Sequence, residues 1–479
     1  MNVRNVLNFS LGPIVTAVLS LVSVPAIAWG FAPEDVGRLN IAQITVSFSV
    51  LLFSLGLDQA YVREYHESLD RPGLMKNCFS PGAILFAIVA VPSLFMAERL
   101  SLWLFDVSDA RYLWITLGCA FAAFVSRFLS LILRMQERAM AFSMSQMVPK
   151  ALFLALIGLI VLGGFPRQFL QLQLALLAST IAVALIFVWN TRKQWGPAVR
   201  SSIEMIRLRS LLKYSIPLIL SGLAYWGLTA TSALMLRSLS SLGEVGIYAV
   251  SMSVAGIATI IQSIFSVIWA PVVYRWVALG ADMSRVDRVA RQALSVVCGA
   301  FVMVGMFSWL IDYVLPSKYG QVKYLVVCSI AQPLLYILSE VTCVGITITR
   351  RTMLSFWSTL VALMANLGFN ILLAPRYGAS GAVVANALAY FVFFIARTEA
   401  SAYVWRSFPR VKLYVFITAA VFLSVLTVVL GPTIGNWYSI AWLAFLPVTA
   451  FAFRSEGRTV VRILEREMRR RRTTLDDPT

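Results

Sequence analysis

The chain has 479 residues, 59% hydrophobic and only 13% charged, with a formal net charge of +18 and a mean hydropathy of +0.80. Soluble domains are about a quarter charged, so this composition excludes an ordinary soluble globular protein and points to an all-α polytopic membrane protein. The excess positive charge is divided unequally between alternate segments joining the apolar runs, which argues for membrane orientation and against a nucleic-acid partner.

Apolar runs of about 20 residues, long enough to cross a bilayer as a helix, recur along the chain. They give about fourteen expected spans. In chain order these are Leu7 to Phe31, Leu39 to Leu57, Phe79 to Ala97, Tyr112 to Leu133, Met140 to Leu162, Phe169 to Trp189, Tyr214 to Leu236, Val245 to Ala270, Ala290 to Leu315, Leu325 to Thr347, Met353 to Leu373, Ala379 to Ile395, Leu413 to Leu430 and Trp437 to Phe453. The first is long and lacks an A-x-A-like site followed by a polar mature domain, so it is expected to stay attached. No loop exceeds about 25 residues, which leaves no room for an extramembrane domain with its own core. Function must lie among the helices.

Cations alternate in density from loop to loop. With the N-terminus inside, the cytoplasmic segments hold such groups as Arg71 and Lys76, Arg192 and Lys193, Arg285 and Arg288, and the arginines of the tail EREMRRRRTTLDDPT. The opposite side holds Arg38, Arg99, Arg111, Arg167, Arg237, Lys318, Lys323 and Arg376. The positive-inside rule then places both termini in the cytoplasm, with the tail lying against anionic headgroups.

The chain is written twice. Asp35-Val36-Gly37 stands over Glu244-Val245-Gly246, and Pro166-Arg167 stands over Pro375-Arg376 at the same separation. RAMAFS (Arg138 to Ser143) resembles RTMLSF (Arg351 to Phe356) in the same order. Six spans separate the partners, and an even number preserves orientation, so two parallel six-helix repeats are expected, followed by two added helices. The expected division is 1–190 for the first bundle, 191–213 for a basic cytoplasmic linker, 214–405 for the second bundle, 406–453 for helices 13 and 14, and 454–479 for the basic cytoplasmic tail.

In NILLAPRYGASGAVVANALAY (Asn370 to Tyr390), Pro375 is expected to end one helix and Gly378 to permit a sharp turn. Gly381, Ala385 and Ala389 then put small residues on one helical face, where backbones can pack closely in lipid.

The stretch N-x-x-L-x-P-x-Y-G-x-x-G-A-x-x-A within it resembles a signature of the bacterial polysaccharide flippases. These belong to the superfamily of multidrug, oligosaccharidyl-lipid and polysaccharide exporters. PEDVGRLN, SLGLDQAYVREY (Ser54 to Tyr65), KYSIPLILSGL (Lys213 to Leu223) and GEVGIYAVS agree with it in order. The resemblance implies two six-helix bundles around a central cavity, forming a flippase of the bacterial cytoplasmic (inner) membrane. It would translocate polyprenyl-diphosphate-linked oligosaccharides by alternating access for exopolysaccharide or O-antigen biosynthesis, with membrane lipids and polysaccharide polymerase machinery as further partners. The alternative is an ion-coupled multidrug exporter of the same superfamily. Many members carry an Asp-Arg pair in the seventh span where this chain has Ser232-Ala233, with Arg237 nearby, and the first span has no acidic residue, so no coupling carboxylate is carried over.

A charge in hydrocarbon costs about 2.5–3.5 kcal/mol on insertion scales, so each should face protein or water. Lys150, after Pro149 in the fifth span, and Arg127 in the fourth are candidate cavity cations for the diphosphate, with Arg38 and Arg237 at the outer ends of the second and seventh spans. Glu340 is a candidate for ion coupling or for an ion pair. Asn366, Asn370 and Asn386 could hydrogen-bond sugars or join helices. Pro25 and Gly56 are candidate hinges. Five scattered cysteines without a C-x-x-C pair read as buried free thiols, and His66 as a structural or solvated side chain. No metal or cofactor is expected. Asp106 and Asp109 in a short loop do not make an acid–base pair beside a pocket, so no enzyme is expected.

Overall fold

A computed structural model describes residues 3–454 except 137 and 281. The basic tail expected to lie against headgroups falls almost wholly outside the described residues. Among those residues the structure is helical, with no strand. The first half contains α1 (Val3–Gly30), α2 (Pro33–Ser54), α3 (Leu57–Glu64), α4 (Arg71–Phe95), α5 (Ala97–Phe105), α6 (Ala110–Met135), α7 (Ala139–Leu162), α8 (Phe169–Asn190), α9 (Arg192–Arg200) and α10 (Met205–Leu239). The second contains α11 (Leu242–Val254), α12 (Gly256–Ala278), α13 (Ser284–Phe307), α14 (Ile311–Val314), α15 (Val322–Ser329), α16 (Ala331–Thr342), α17 (Val344–Ile348), α18 (Met353–Val404), α19 (Val411–Ile434) and α20 (Tyr438–Ala452).

Eleven helical segments among the described residues are long and apolar enough to cross a membrane. Two of them turn on a glycine at positive φ, α18 at Gly378 (φ 52°, ψ −132°) and the run from α19 to α20 at Gly435 (φ 58°). Large apolar side chains such as Ile84, Phe95, Leu162, Leu185 and Phe422 face outward. That pattern suits a surrounding of lipid rather than water. The protein is a multi-pass membrane protein.

Several expected spans are not single helices. The eighth divides at Ala255 into α11 and α12, and the tenth divides into α15, α16 and α17. Hydropathy sees the length of an apolar run but not a local break within it. Three short helices, α3, α5 and α9, stand where only loops were expected, because their apolar residues are too few for a span.

The chain forms two compact units. One comprises Met1–Ile260, Leu315–Tyr319 and Asn370–Ala382, and the other Ile261–Val314, Gly320–Phe369 and Val383–Thr479. The first has an apolar core where α2, α3, α4 and α6 meet, with Phe53, Leu57, Tyr61, Leu74, Phe124 and Phe128 at its centre. The second has a smaller core of Trp269, Val273, Val286, Ala290, Val341 and Val344 from α12, α13, α16 and α17. In that unit Trp442 of α20 is fully buried against Gly305 of α13, where a Cβ would stand 2.3 Å from the indole. Its indole N–H donates to Thr427 of α19 at 2.9 Å. The missing side chain at Gly305 is what lets α20 dock.

The motif at Asn370 to Tyr390 turns more tightly than a loop. Gly378 is the only residue of α18 outside helical geometry, and a Cβ there would meet the Glu244 carboxylate at 2.3 Å. Glu244 accepts a hydrogen bond from the Ala379 amide at 2.6 Å. A helix N-terminus leaves amides unsatisfied, and this carboxylate from the start of α11 supplies the acceptor. Gly381 then faces the Leu373 carbonyl, which a Cβ would approach to 2.3 Å, so the two arms cross backbone to backbone. The glycine spacing in this motif therefore serves close packing.

Candidate functional site

The site lies within the first unit and begins at a seam. Gly37 of α2 and Gly246 of α11 occupy equivalent positions in the repeated motif and touch each other. A Cβ on Gly37 would lie 1.9 Å from the Leu242 carbonyl oxygen, and a Cβ on Gly246 would lie 2.0 Å from the Pro33 carbonyl oxygen. Leu242 and Pro33 are themselves equivalent positions. The contact is thus reciprocal, each motif meeting the other as the other meets it. Pro33 begins α2 and Leu242 begins α11, so the seam lies at the helix ends and not at mid-membrane.

One to two turns deeper lies a cavity of about 100 Å³. Its polar lining consists of Ser20 and Ser23 of α1, Asn40 and Gln43 of α2, Lys150 of α7 and Ser253 of α11. Asn40 Oδ1 is buried without a hydrogen-bond partner. Among the described residues no carboxylate lines the cavity. Lys150 stands eleven residues into α7, about 17 Å along the helix axis and hence near mid-membrane depth. Among the described residues its ammonium has no ion-pair or hydrogen-bond partner. The site is a cation with neutral hydrogen-bonding groups around it and no counter-ion.

The other three proposed cations are engaged. Arg127 of α6 pairs with Asp58 of α3, Nη2 to Oδ2 at 2.5 Å and Nε at 3.1 Å. Asp58 is buried, so Arg127 is what makes its charge tolerable there. Arg38 and Arg237 share one task, holding the C-terminal end of α5. Arg38 donates to Asp35 at 2.7 Å and to the Phe105 carbonyl at 2.9 Å. Arg237 donates to the carbonyls of Leu104 and Trp103, both at 3.0 Å, and to the Asp106 carboxylate at 2.6 Å. Guanidinium groups thereby satisfy the last carbonyls of α5 and complement its dipole.

Glu340 of α16 pairs with Arg397 of α18 at 3.0 Å, in the second unit. Asn370 donates to Ser232 of α10 at 3.1 Å, and Asn386 donates to Gln332 of α16 at 3.1 Å, so both link helices. Asn366 is fully buried on α18. Pro25 lies within α1, which stays helical from Val3 to Gly30. Gly56 (φ 68°), with Leu55 (φ 50°), forms the left-handed break between α2 and α3. A Cβ at Gly56 would come within 2.8 Å of the Ser215 carbonyl. All five cysteines are free and buried, and His66 is exposed beside Tyr65.

Sequence reasoning overlooked Asp58, which follows an apolar run and gives no sign of its partner 69 residues away. It also missed the linked roles of Gly37, Gly246 and Glu244, although their recurrence in both halves was the available signal.

The family model for the polysaccharide biosynthesis protein matches residues 2–277, more than half of the chain. The chain belongs to that family. No curated protein sequence matches it significantly. Among solved structures it resembles the lipid II flippase MurJ in an inward closed conformation, with TM-score 0.68 and 12% identity over 95% of this chain and 99% of that one. It also resembles a multidrug resistance MATE family transporter of the MOP superfamily in an inward-facing conformation, with TM-score 0.55 and 16% identity over 82% and 98% of the two chains. An outward-facing MATE structure gives TM-score 0.52 and 15% identity over 87% and 96%. At these identities the likeness establishes a shared fold, and this member of the polysaccharide biosynthesis family has the fold of MurJ and the MATE transporters.

Proposed function

We propose that the protein flips a polyprenyl-diphosphate-linked oligosaccharide across the bacterial cytoplasmic (inner) membrane by alternating access, for assembly of an exported polysaccharide such as an exopolysaccharide or O-antigen. The observation that carries this reading is Lys150, an uncompensated cation near mid-membrane in a cavity of neutral hydroxyl and amide groups. A diphosphate needs a cation, and sugar hydroxyls need neutral donors and acceptors. Neither can cross hydrocarbon without losing its hydrogen bonds and hydration. A cationic drug would meet repulsion from Lys150 and find no carboxylate in the lining, which weighs against the multidrug-exporter alternative.

At about 100 Å³ the cavity is far smaller than an oligosaccharide. Passage therefore requires the Gly37–Gly246 seam to part, with Gly56 between α2 and α3, and Pro25 in α1, as the hinges. In this scheme Arg127, Arg38 and Arg237 support the helices around the path rather than the substrate. Asn366, Asn370 and Asn386 and the Glu340–Arg397 pair hold helices together, with Glu340 the available group if an ion is coupled. Export of about two negative charges from a negative interior would gain about 2.3 kcal/mol per charge per 100 mV, so a membrane potential could drive flipping.

The organisation that goes with this function is fourteen crossings with both termini cytoplasmic, the interrupted eighth and tenth spans counting once each and α18 twice. The bundles are 1–190 and 214–405 and the added helices 406–453. Polysaccharide polymerase machinery and membrane lipids are its partners. Deleting the gene and analysing the lipid-linked intermediates tests the substrate class. A completed oligosaccharide on polyprenyl diphosphate should accumulate on the cytoplasmic side. Unchanged intermediates together with lost resistance to cationic drugs would favour the exporter.

A further inference from the structure

The first unit contains a second set of cavities that the flipping path does not use. They lie at the elbow where α8 ends and α9 begins. α8 is apolar until Trp189, and the chain then continues as Asn190, Thr191, Arg192, Lys193 and Gln194. A tryptophan at the end of an apolar span followed by cations marks the membrane–water interface. α9 (RKQWGPAVR) is too short and too polar to cross.

One cavity at this elbow, of about 280 Å³, is lined by Arg138, Trp189, Asn190, Arg192, Lys193 and Gln194. Among the described residues its lining has three cations and no carboxylate. Arg192 stacks on Trp189 at 4.2 Å and donates one hydrogen bond, to the Trp189 carbonyl at 3.1 Å. Arg138 donates to the Asn190 carbonyl at 3.4 Å. A guanidinium has five donors, so both retain most of theirs. Lys193 is exposed, with no partner among the described residues. Gln194 holds a buried side-chain oxygen that also lacks a hydrogen-bond partner. The cavity offers donors for an anion and one acceptor for a hydroxyl.

A second cavity, of about 380 Å³, uses the adjoining residues of the same elbow, Val188 and Trp195, together with Phe79, Val125, Leu129 and Ala198. Trp195 is fixed by its indole N–H donating to the Val188 carbonyl at 2.8 Å. Lys76 pins the end of α9 by donating to the Val199 carbonyl at 2.8 Å and the Ser201 carbonyl at 2.5 Å. Protein interiors are close-packed and leave few voids larger than a water molecule. An apolar hollow of this size beside lipid suits a hydrocarbon chain.

We propose that the α8–α9 elbow is a binding site for an anionic phospholipid of the bilayer, its phosphate held by Arg138, Arg192 and Lys193, a headgroup hydroxyl donating to Gln194, and one acyl chain in the hollow beside Trp195. Cations around one polar cavity, with an apolar cavity formed by neighbouring residues of the same elbow, distinguish it from a merely basic surface, which would attract anionic lipid without retaining it. The site is separate from the Lys150 cavity and does not depend on what that cavity transports.

Native mass spectrometry of the full-length protein in detergent, with defined lipids added, tests this. The probes are phosphatidylglycerol, phosphatidylcholine, undecaprenyl diphosphate and inorganic phosphate. The site predicts retention of one phosphatidylglycerol with about tenfold or greater preference over phosphatidylcholine, from about one kcal/mol per cation near the phosphate. Lys193→Glu should cut that retention at least about fivefold on the same scale. Lys193 is exposed and has no hydrogen-bond or ion-pair partner among the described residues, so this variant should fold. The double variant Arg192→Gln and Lys193→Gln should remove the preference. Equal retention of both phospholipids, or unchanged retention in Lys193→Glu, would overturn the proposal. Displacement of phosphatidylglycerol by millimolar inorganic phosphate would overturn it in favour of a free-anion site. Selective retention of undecaprenyl diphosphate, lost in the same variants, would overturn it in favour of a transport-substrate site.

Discussion

Replacing Lys150 with glutamine should reduce polymer export about 10- to 150-fold in a strain lacking the native gene, because a hydrogen bond to a charged group contributes about 1.5–3 kcal/mol. Lys150→Arg should retain part of the activity, since the charge stays while the compact ammonium is replaced by a wider planar group. The same glutamine variant should melt no lower than the unaltered protein. Among the described residues Lys150 pairs with nothing, so neutralising it removes an uncompensated charge and breaks no internal bond. Loss of export without loss of stability is what separates a substrate cation from a structural one. If Lys150→Gln exports normally, or if it unfolds, the cavity does not hold the diphosphate in the way proposed.

The second large effect concerns the seam. Exchanging glycine for alanine inside a helix ordinarily stabilises by about 0.5–1 kcal/mol. At Gly37 the sign should reverse, because a Cβ would lie 1.9 Å from the Leu242 carbonyl oxygen. A backbone atom cannot rotate away as a side chain can. Gly37→Ala should therefore cost about 1–3 kcal/mol as overpacking and force α2 and α11 apart. Asn40, one turn deeper, reports the result. As cysteine on a background without the native thiols, it should resist an impermeant thiol reagent applied from outside and become reactive when Gly37→Ala is added. Gly246→Ala should do the same, as its reciprocal position requires. A more stable Gly37→Ala protein with Asn40→Cys still protected would show that the seam does not seal the cavity.

These two residues also show how far sequence alone reaches. The membrane class follows from composition and from repeated apolar runs, because the need to satisfy every backbone group in lipid leaves little choice but helices. The recurrence of Asp35-Val36-Gly37 as Glu244-Val245-Gly246 marked the right elements. That Gly37 and Gly246 touch could not be read, because recurrence records equivalence and not contact. The break at Gly378 was legible from Pro375 and the glycine. Its stabilisation by Glu244 was not, since the two are far apart in the chain. Among the cations, position relative to the apolar runs identified all four candidates but could not sort them. Arg127 pairs with Asp58, while Arg38 and Arg237 hold the end of α5, a helix too short to show in hydropathy. Lys150 differs by lacking such partners, and partners are a property of the fold.

The most direct measurement is flipping by the purified protein in liposomes carrying a labelled polyprenyl-diphosphate-linked oligosaccharide, with an imposed membrane potential. The account predicts protein-dependent appearance of the sugar in the opposite leaflet, faster when the potential favours movement of the anionic head, and at least about tenfold slower with Lys150→Gln. No protein-dependent movement of the sugar, in a preparation that does expel a cationic drug, would contradict it.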